Sequence, residues 1–264
     1  MSLNKKYINT ISAASGNLSY MQFDSLLMHA DLAHGIFTRK GGLSLPPYDS
    51  LNVSYNTGDL PDNVKGNLSL IKDEIGADNI MSMNQVHGVG IITLHRDNHH
   101  DLATYSADAI ITDIPLLGIM VKQADCQGII LYDAVKSAVA VVHCGWRGNV
   151  QDILGCVVNK MKSEFGCESR DLLAAIGPSL GPCCAEFTSY REIFPEEFIK
   201  YIVSNNHFNL WEISRMQLLR AGLMKDNIEI AGICTKCNTD LFYSYRAEGD
   251  TGRFGTVAMI KKAE

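Results

Sequence analysis

The runs ADAIITD (107–113), LLGIMVKQADC (116–126), GIILYD (128–133) and SAVAVVHC (137–144) decide the fold. Each is short and rich in Ile, Val, Leu and Ala, and several are apolar on both faces. Strands of that kind belong to a sheet covered on both sides. Before them, Val64, Leu68, Ile71 and Ile75 recur at helical spacing from Asp62 to Gly76. After them, Val150, Ile153, Leu154, Val157, Val158, Met161 and Phe165 mark one face of an amphipathic helix, with Asn149 as its expected cap and Gly166 as its end. Further strands are expected at 34–39, 84–94, 172–176, 228–235, 241–246 and 256–261, and a strand or two within 1–30. Helices are expected near 190–204, beginning at Pro195, and 209–221. GGLSLPPYDSLN (41–52) and GPSLGPCC (177–184) are loops dense in Gly and Pro. No linker splits the chain, so residues 1–264 read as a single α/β domain with a mixed sheet.

The 264 residues carry a net charge of −6, and no cluster of Lys and Arg stands out. Nucleic-acid binding is therefore not expected. No apolar run reaches the ~18 residues of a membrane span, and the N-terminus lacks the apolar core of a signal peptide. A cytoplasmic protein is the default. In that compartment the eight cysteines read as free thiols or metal ligands rather than as a disulfide framework.

GIILYD and SAVAVVH can pair as a hairpin around Asp133-Ala134-Val135-Lys136. If Tyr132 faces Ser137, Cys126 faces His143, and their side chains share one face of the sheet. A one-residue slip would bring Cys144 there instead. No local metal motif joins these residues to His87.

NQVHG (84–88), ADAIITD, ADC (124–126), HCGWRG (143–148), IGPSLGPCC (176–184) and SYRAEGDTGR (244–253) together resemble the YfiH/YlmD family, and FTRKGG (37–42) and PYDSLN (47–52) match its N-terminal pattern. Its members have been called laccase-domain or multicopper polyphenol oxidoreductase proteins and, more recently, purine nucleoside phosphorylases. The resemblance implies a four-layer α-β-β-α sandwich and a metal, usually zinc, held by His87, Cys126 and His143. It implies phosphorolysis of adenosine, inosine or methylthioadenosine, with adenosine deamination as a further activity. A His₂Cys set leaves one position open, the catalytic pattern for zinc. Arg39, Arg147, Arg246 and Arg253 are candidates for phosphate, since guanidinium matches it bidentately, and Gln85 for substrate. The chain departs from the family pattern at Gln127-Gly128, Ala185 and Cys144, which puts substrate preference in doubt.

Three other readings stand beside this one. A copper oxidase would use the same ligands, although a single His₂Cys site supplies one metal and not a copper cluster. A cysteine hydrolase would use Cys126 as nucleophile and His143 as base, with Asp125 or His87 nearby. A zinc-stabilised binding module would join CTKC (234–237) to Cys183 and Cys184, although adjacent cysteines are poor zinc-ribbon geometry. The base-deaminase signature, His-x-Glu with Pro-Cys-x-x-Cys, is absent. His99-His100 reads as solvated loop.

Overall fold

A computed structural model describes residues 8–13, 16–96 and 105–262; His99-His100 lies outside them. In chain order the strands are β1 (Ile8–Ala13), β2 (Gly16–Met21), β3 (Leu32–Phe37), β4 (Asn79–Ser82), β5 (Ile91–Leu94), β6 (Ala109–Thr112), β7 (Leu117–Gln123), β8 (Gln127–Asp133), β9 (Ala138–Cys144), β10 (Leu173–Ile176), β11 (Ile202–Ser204), β12 (His207–Phe208), β13 (Ile228–Ile230) and β14 (Phe254–Ile260). The helices are α1 (Asp24–Leu27), α2 (Pro61–Ile75), α3 (Trp146–Val150), α4 (Ile153–Phe165), α5 (Tyr190–Ile193), α6 (Leu210–Arg220) and α7 (Tyr245–Glu248). Among the described residues no helix is long and apolar enough to cross a membrane.

Two six-stranded mixed sheets face each other. One runs β1-β2-β3-β14-β7-β4, the other β13-β10-β8-β9-β6-β5. Strand alternation divides the apolar residues between two cores. Ile130, Tyr132, Val139 and Val141 point inward against Ile36, Ile119, Val121 and Ala258 of the first sheet. Ile129, Leu131, Ala140 and Val142 point outward beneath Ile153, Leu154, Val157 and Val158 of α4 and Leu218 of α6. On the far side, Ile71 and Leu68 of α2 cover Phe37, Met120 and Val257 of the first sheet. The central strands are apolar on both faces because both faces are covered.

The expected hairpin register is two residues out. Asp133 pairs with Ala138, Tyr132 with Val139, and Gly128 with His143. The Asp133 carboxylate accepts the Val135 and Lys136 N–H groups, each at 2.9 Å, and Ser137 takes φ 49°. That side-chain turn places Asp133 in the ladder and moves Ser137 into the loop. A shift of two preserves which face each residue occupies, so Cys126 and His143 still share one.

Four further expectations change. Asn149 does not cap α4; Asp152 does, accepting from Gly155 N. The Asn149 amide instead donates to Ser214 and Gln217 of α6 at 2.9 and 3.0 Å, tying α3 to that helix. The helix expected at 190–204 breaks because Phe194, preceding Pro195, is extended; α5, a short 3₁₀ turn (Glu196–Tyr201) and β11 replace it. Residues 241–246 are not a strand, since the Ser244 side chain caps α7. The strand expected across 84–94 begins only at Ile91, for the reason given below.

His34 of β3 is buried, its Nε2 accepting from Phe23 N at 2.9 Å. Its Nδ1 has no partner among the described residues. Burial, reinforced by the positive charge of Lys261, lowers its pKa from 6.5 to about 4. Between those values the unfolded chain binds a proton that the folded chain refuses, so stability falls as pH drops through that window. We expect a loss of about 3 kcal/mol between pH 7 and pH 4 from this group. Denaturant titrations of wild type and His34→Asn should show it as a flatter acid limb in the variant. Parallel limbs would count against it.

Candidate metal centre and its cavity

Asp108 organises the site. It is fully buried just ahead of β6, preceding Ala109, Ile110 and Ile111. Its Oδ1 accepts from His87 N at 3.0 Å and pairs with His143 Nδ1 at 2.8 Å. Its Oδ2 accepts from Gly88 N at 2.7 Å and Val86 N at 3.3 Å. The N–H groups that would extend β5 backwards therefore bind a carboxylate, and His87 is held at φ 60°. One side chain thus fixes the loop carrying one histidine and the ring of the other. With Nδ1 engaged, Nε2 is the atom His143 has free to bind a metal; a carboxylate behind a ligating histidine sets its tautomer in this way.

His87, Cys126 and His143 converge, with their donor atoms within 4.8 Å of one another and the two imidazoles edge to face at 4.9 Å. His87 is exposed, Cys126 half-buried and His143 buried. Burial alone would raise the Cys126 thiol, but the neighbouring imidazoles, His143 foremost, bring it below its ordinary range. Burial would likewise lower His143, and the Cys126 sulfur and Asp108 carboxylate raise it instead. Two imidazoles around a thiol that gives up its proton more readily than usual are donors from which a divalent cation displaces protons as it binds. The donor set therefore fits a metal ion.

The ligands lie on the floor of a cavity of about 630 Å³. Gln85, Arg147, Arg246 and Arg253 also line it, as do Trp146 and Phe187. Arg147 is exposed and stacks on Trp146 at 4.4 Å. Arg246 donates to the Glu186 carbonyl at 3.0 Å, and Arg253 to the carbonyls of Thr251 and Gly252. Gln85 spends its amide on the Lys122 backbone, donating at 2.7 Å and accepting at 2.8 Å, so it anchors the histidine loop to β7. Arg39 is not part of this cavity lining. It is buried, donates to Asp49 O, Thr239 O and Glu248 Oε1 at 2.8–2.9 Å, and covers the Tyr243 ring. It is a strut between loops rather than an anion ligand.

Sequence reasoning missed one positioning residue, Asp108, whose only signal was an acid ahead of the buried run Ala109-Ile110-Ile111; a second it placed only beside Cys126 in the hydrolase reading. Asp125 is that second residue, at φ 90°. It accepts from Thr235 Oγ1 at 2.6 Å, Ser244 Oγ at 2.7 Å and Arg246 N at 2.6 Å, which joins the floor to two rim loops.

Gly145 packs directly against the ligands. A Cβ there would lie 2.8 Å from Cys126 Sγ and 3.4 Å from His87 Cδ2. Gly145→Ala should therefore displace a ligand while leaving the sheets intact. We expect zinc affinity to fall about 10–100-fold, the range for changes beside a ligand, with the far-UV dichroism unchanged. Competition against a chromophoric chelator measures it.

Residues 33–261 match the family model described as multi-copper polyphenol oxidoreductase laccase. The chain is 30% identical over 261 residues to a purine nucleoside phosphorylase of Bacteroides thetaiotaomicron, covering 91% of this chain and 96% of that protein. It is 31% identical over 234 residues to the purine nucleoside phosphorylase YfiH of Shigella flexneri, covering 84% and 91%. The crystal structure of the hypothetical protein YfiH of Bacillus licheniformis superposes with a TM-score of 0.84 at 26% identity, covering 96% of this chain and 99% of that one. The chain belongs to the YfiH/YlmD family, the laccase-domain family of that model.

Proposed function

We propose that the chain is a zinc-dependent purine nucleoside phosphorylase acting on adenosine, inosine or methylthioadenosine. The observation that carries this is a three-ligand His₂Cys set on the floor of a cavity rimmed by arginines. The names of the relatives support the reaction class. Phosphorolysis breaks the bond between the ribose anomeric carbon and the purine nitrogen, joins a phosphate oxygen to that carbon, and returns a proton to the base. Arg147, Arg246 and Arg253 provide the cationic wall that phosphate needs. Trp146 and Phe187 offer aromatic faces for a purine. His87, Cys126 and His143 would hold the zinc, which supplies Lewis-acid polarisation at its open position. Asp108 keeps His143 oriented throughout.

The deciding experiment loads the protein with zinc and measures base release from each nucleoside with and without phosphate. Release that depends on phosphate is expected. No release from any of the three would refute the proposal. Inosine formed from adenosine without phosphate would register the deaminase activity separately.

One observation favours a second reading. Asp108, His143 and Cys126 form an acid–imidazole–thiol line, with 2.8 Å between Asp108 and His143. That order also suits a cysteine hydrolase. An acyl-enzyme trapped on Cys126 would support it, and zinc-dependent phosphorolysis would argue against it. Copper would occupy the same three ligands, and metal analysis of the purified protein separates it from zinc.

A further inference from the structure

Cys183 and Cys184, and about fifty residues later Cys234 and Cys237, place their sulfurs within 4.8 Å of one another. Cys237 Sγ lies 3.6 Å from Cys183 Sγ and 3.5 Å from Cys184 Sγ. A disulfide requires about 2.05 Å, and all four thiols are free. Four sulfurs around one zinc, each bonded at about 2.3 Å, stand about 3.8 Å apart at the corners of a tetrahedron. The observed spacing is that of a ligand shell.

The backbone is shaped for the same purpose. Cys183 and Cys184 sit in a turn closed by Cys184 N and Ala185 N on the Gly181 carbonyl, each at 2.9 Å. Cys234 and Cys237 flank a second turn, closed by Asn238 N on the Thr235 carbonyl and by the Asn238 amide on the Cys234 carbonyl at 2.7 Å. The turns approach through the bridge between Ser179 and Cys234. Gly181 permits that approach, since a Cβ there would lie 2.9 Å from that of Cys234. Adjacent cysteines, unpromising on spacing alone, converge because the tight turn aims both sulfurs at the same neighbour.

The geometry points to a second metal site: a closed, structural Cys₄ zinc centre that clamps the two loops following β10 and β13. Those loops carry Ser179, Leu180 and Phe187 on one side and Tyr245 and Arg246 on the other, all cavity-lining residues. Thr235, between the paired cysteines, donates to Asp125 at 2.6 Å, and Asp125 precedes Cys126. The clamp therefore sets the rim without touching the reacting atoms, and it holds whatever reaction the cavity performs.

The test is the zinc content of the full chain, purified with reductant and dialysed against a chelating resin. Two zinc ions per chain are expected, one for each convergent group. Cys183→Ser/Cys237→Ser, which alters the two exposed cysteines of the cluster, should retain one, and His87→Ala/Cys126→Ala should also retain one. Should the serine variant fail to fold, cobalt loaded into His87→Ala/Cys126→Ala still decides. The intense visible bands and thiolate charge transfer of a four-sulfur tetrahedral site are expected. A His87→Ala/Cys126→Ala protein that binds neither zinc nor cobalt overturns the proposal. So does a serine variant that keeps as much zinc as wild type, or an intact mass showing a disulfide within the cluster despite reductant.

Discussion

The His143→Ala protein should lose phosphate-dependent nucleoside cleavage by about three orders of magnitude in kcat/KM. A metal's charge stabilisation is worth several kcal/mol in a transition state, and about 4 kcal/mol corresponds to a thousandfold. The same substitution removes one of three ligands and frees Asp108 from its partner, so zinc content should fall with activity. Cys126→Asp is the informative companion. A carboxylate also ligates zinc, so this variant should retain zinc and a measurable fraction of turnover. Steady-state kinetics beside metal analysis gives both readouts. Wild-type activity in a zinc-free His143→Ala protein would end the metal-dependent reading.

Asp108→Ala should be the most destabilising single change at the site. The carboxylate accepts three backbone N–H groups and faces the buried His143 ring. Burial raises its pKa, yet the hydrogen bond from His143 and those from Gly88 and His87 hold it below the ordinary carboxylate range. Those bonds thus outweigh the cost of placing a charge there. Removing it strands the buried His143 ring and three part-buried N–H groups; an unsatisfied buried donor costs about 1–3 kcal/mol, and water entering from the cavity relieves the N–H groups. We expect a net loss of about 3–5 kcal/mol, the range for breaking one side of a buried ionic pair, and a 10–100-fold fall in zinc affinity. Urea denaturation and chelator competition test the two parts. An unchanged midpoint with unchanged affinity would remove Asp108 from its organising role.

The unbroken apolar runs within residues 107–144 made the buried strands of both sheets legible, because a strand covered on both faces leaves no polar phase in its sequence. Helix α2 was equally plain from its apolar period and from Gly76, which ends it in a left-handed cap. What failed was local chemistry in which a side chain outbids the backbone ladder. Asp133 moved the hairpin by closing its own turn. Ser244 drew residues 241–246 out of a strand, and Asp108 took the N–H groups of 86–88. The ligand trio was brought together by family resemblance and only partly by pairing arithmetic, since His87 reaches the site through a loop with no periodic signal. Residue type does not reveal prior commitments either: Arg39 donates to two carbonyls and to Glu248 outside the cavity lining, and Gln85 lines the cavity with its amide on the Lys122 backbone.

The division between floor and rim has a consequence for anyone redesigning this chain. The floor is built from strand ends stitched by Asp108 and Asp125, whereas the rim comes from separate excursions around Asn56, Trp146, Phe187 and Tyr245. The excursions around Phe187 and Tyr245 are tied to each other by Arg246 on the Glu186 carbonyl, and the latter to the floor by Asp125, so those two must be exchanged as a pair. Libraries that vary the exposed side chains of these segments while keeping Asp125, Ser244 and Gly145 would recruit new substrates above an inherited ligand floor.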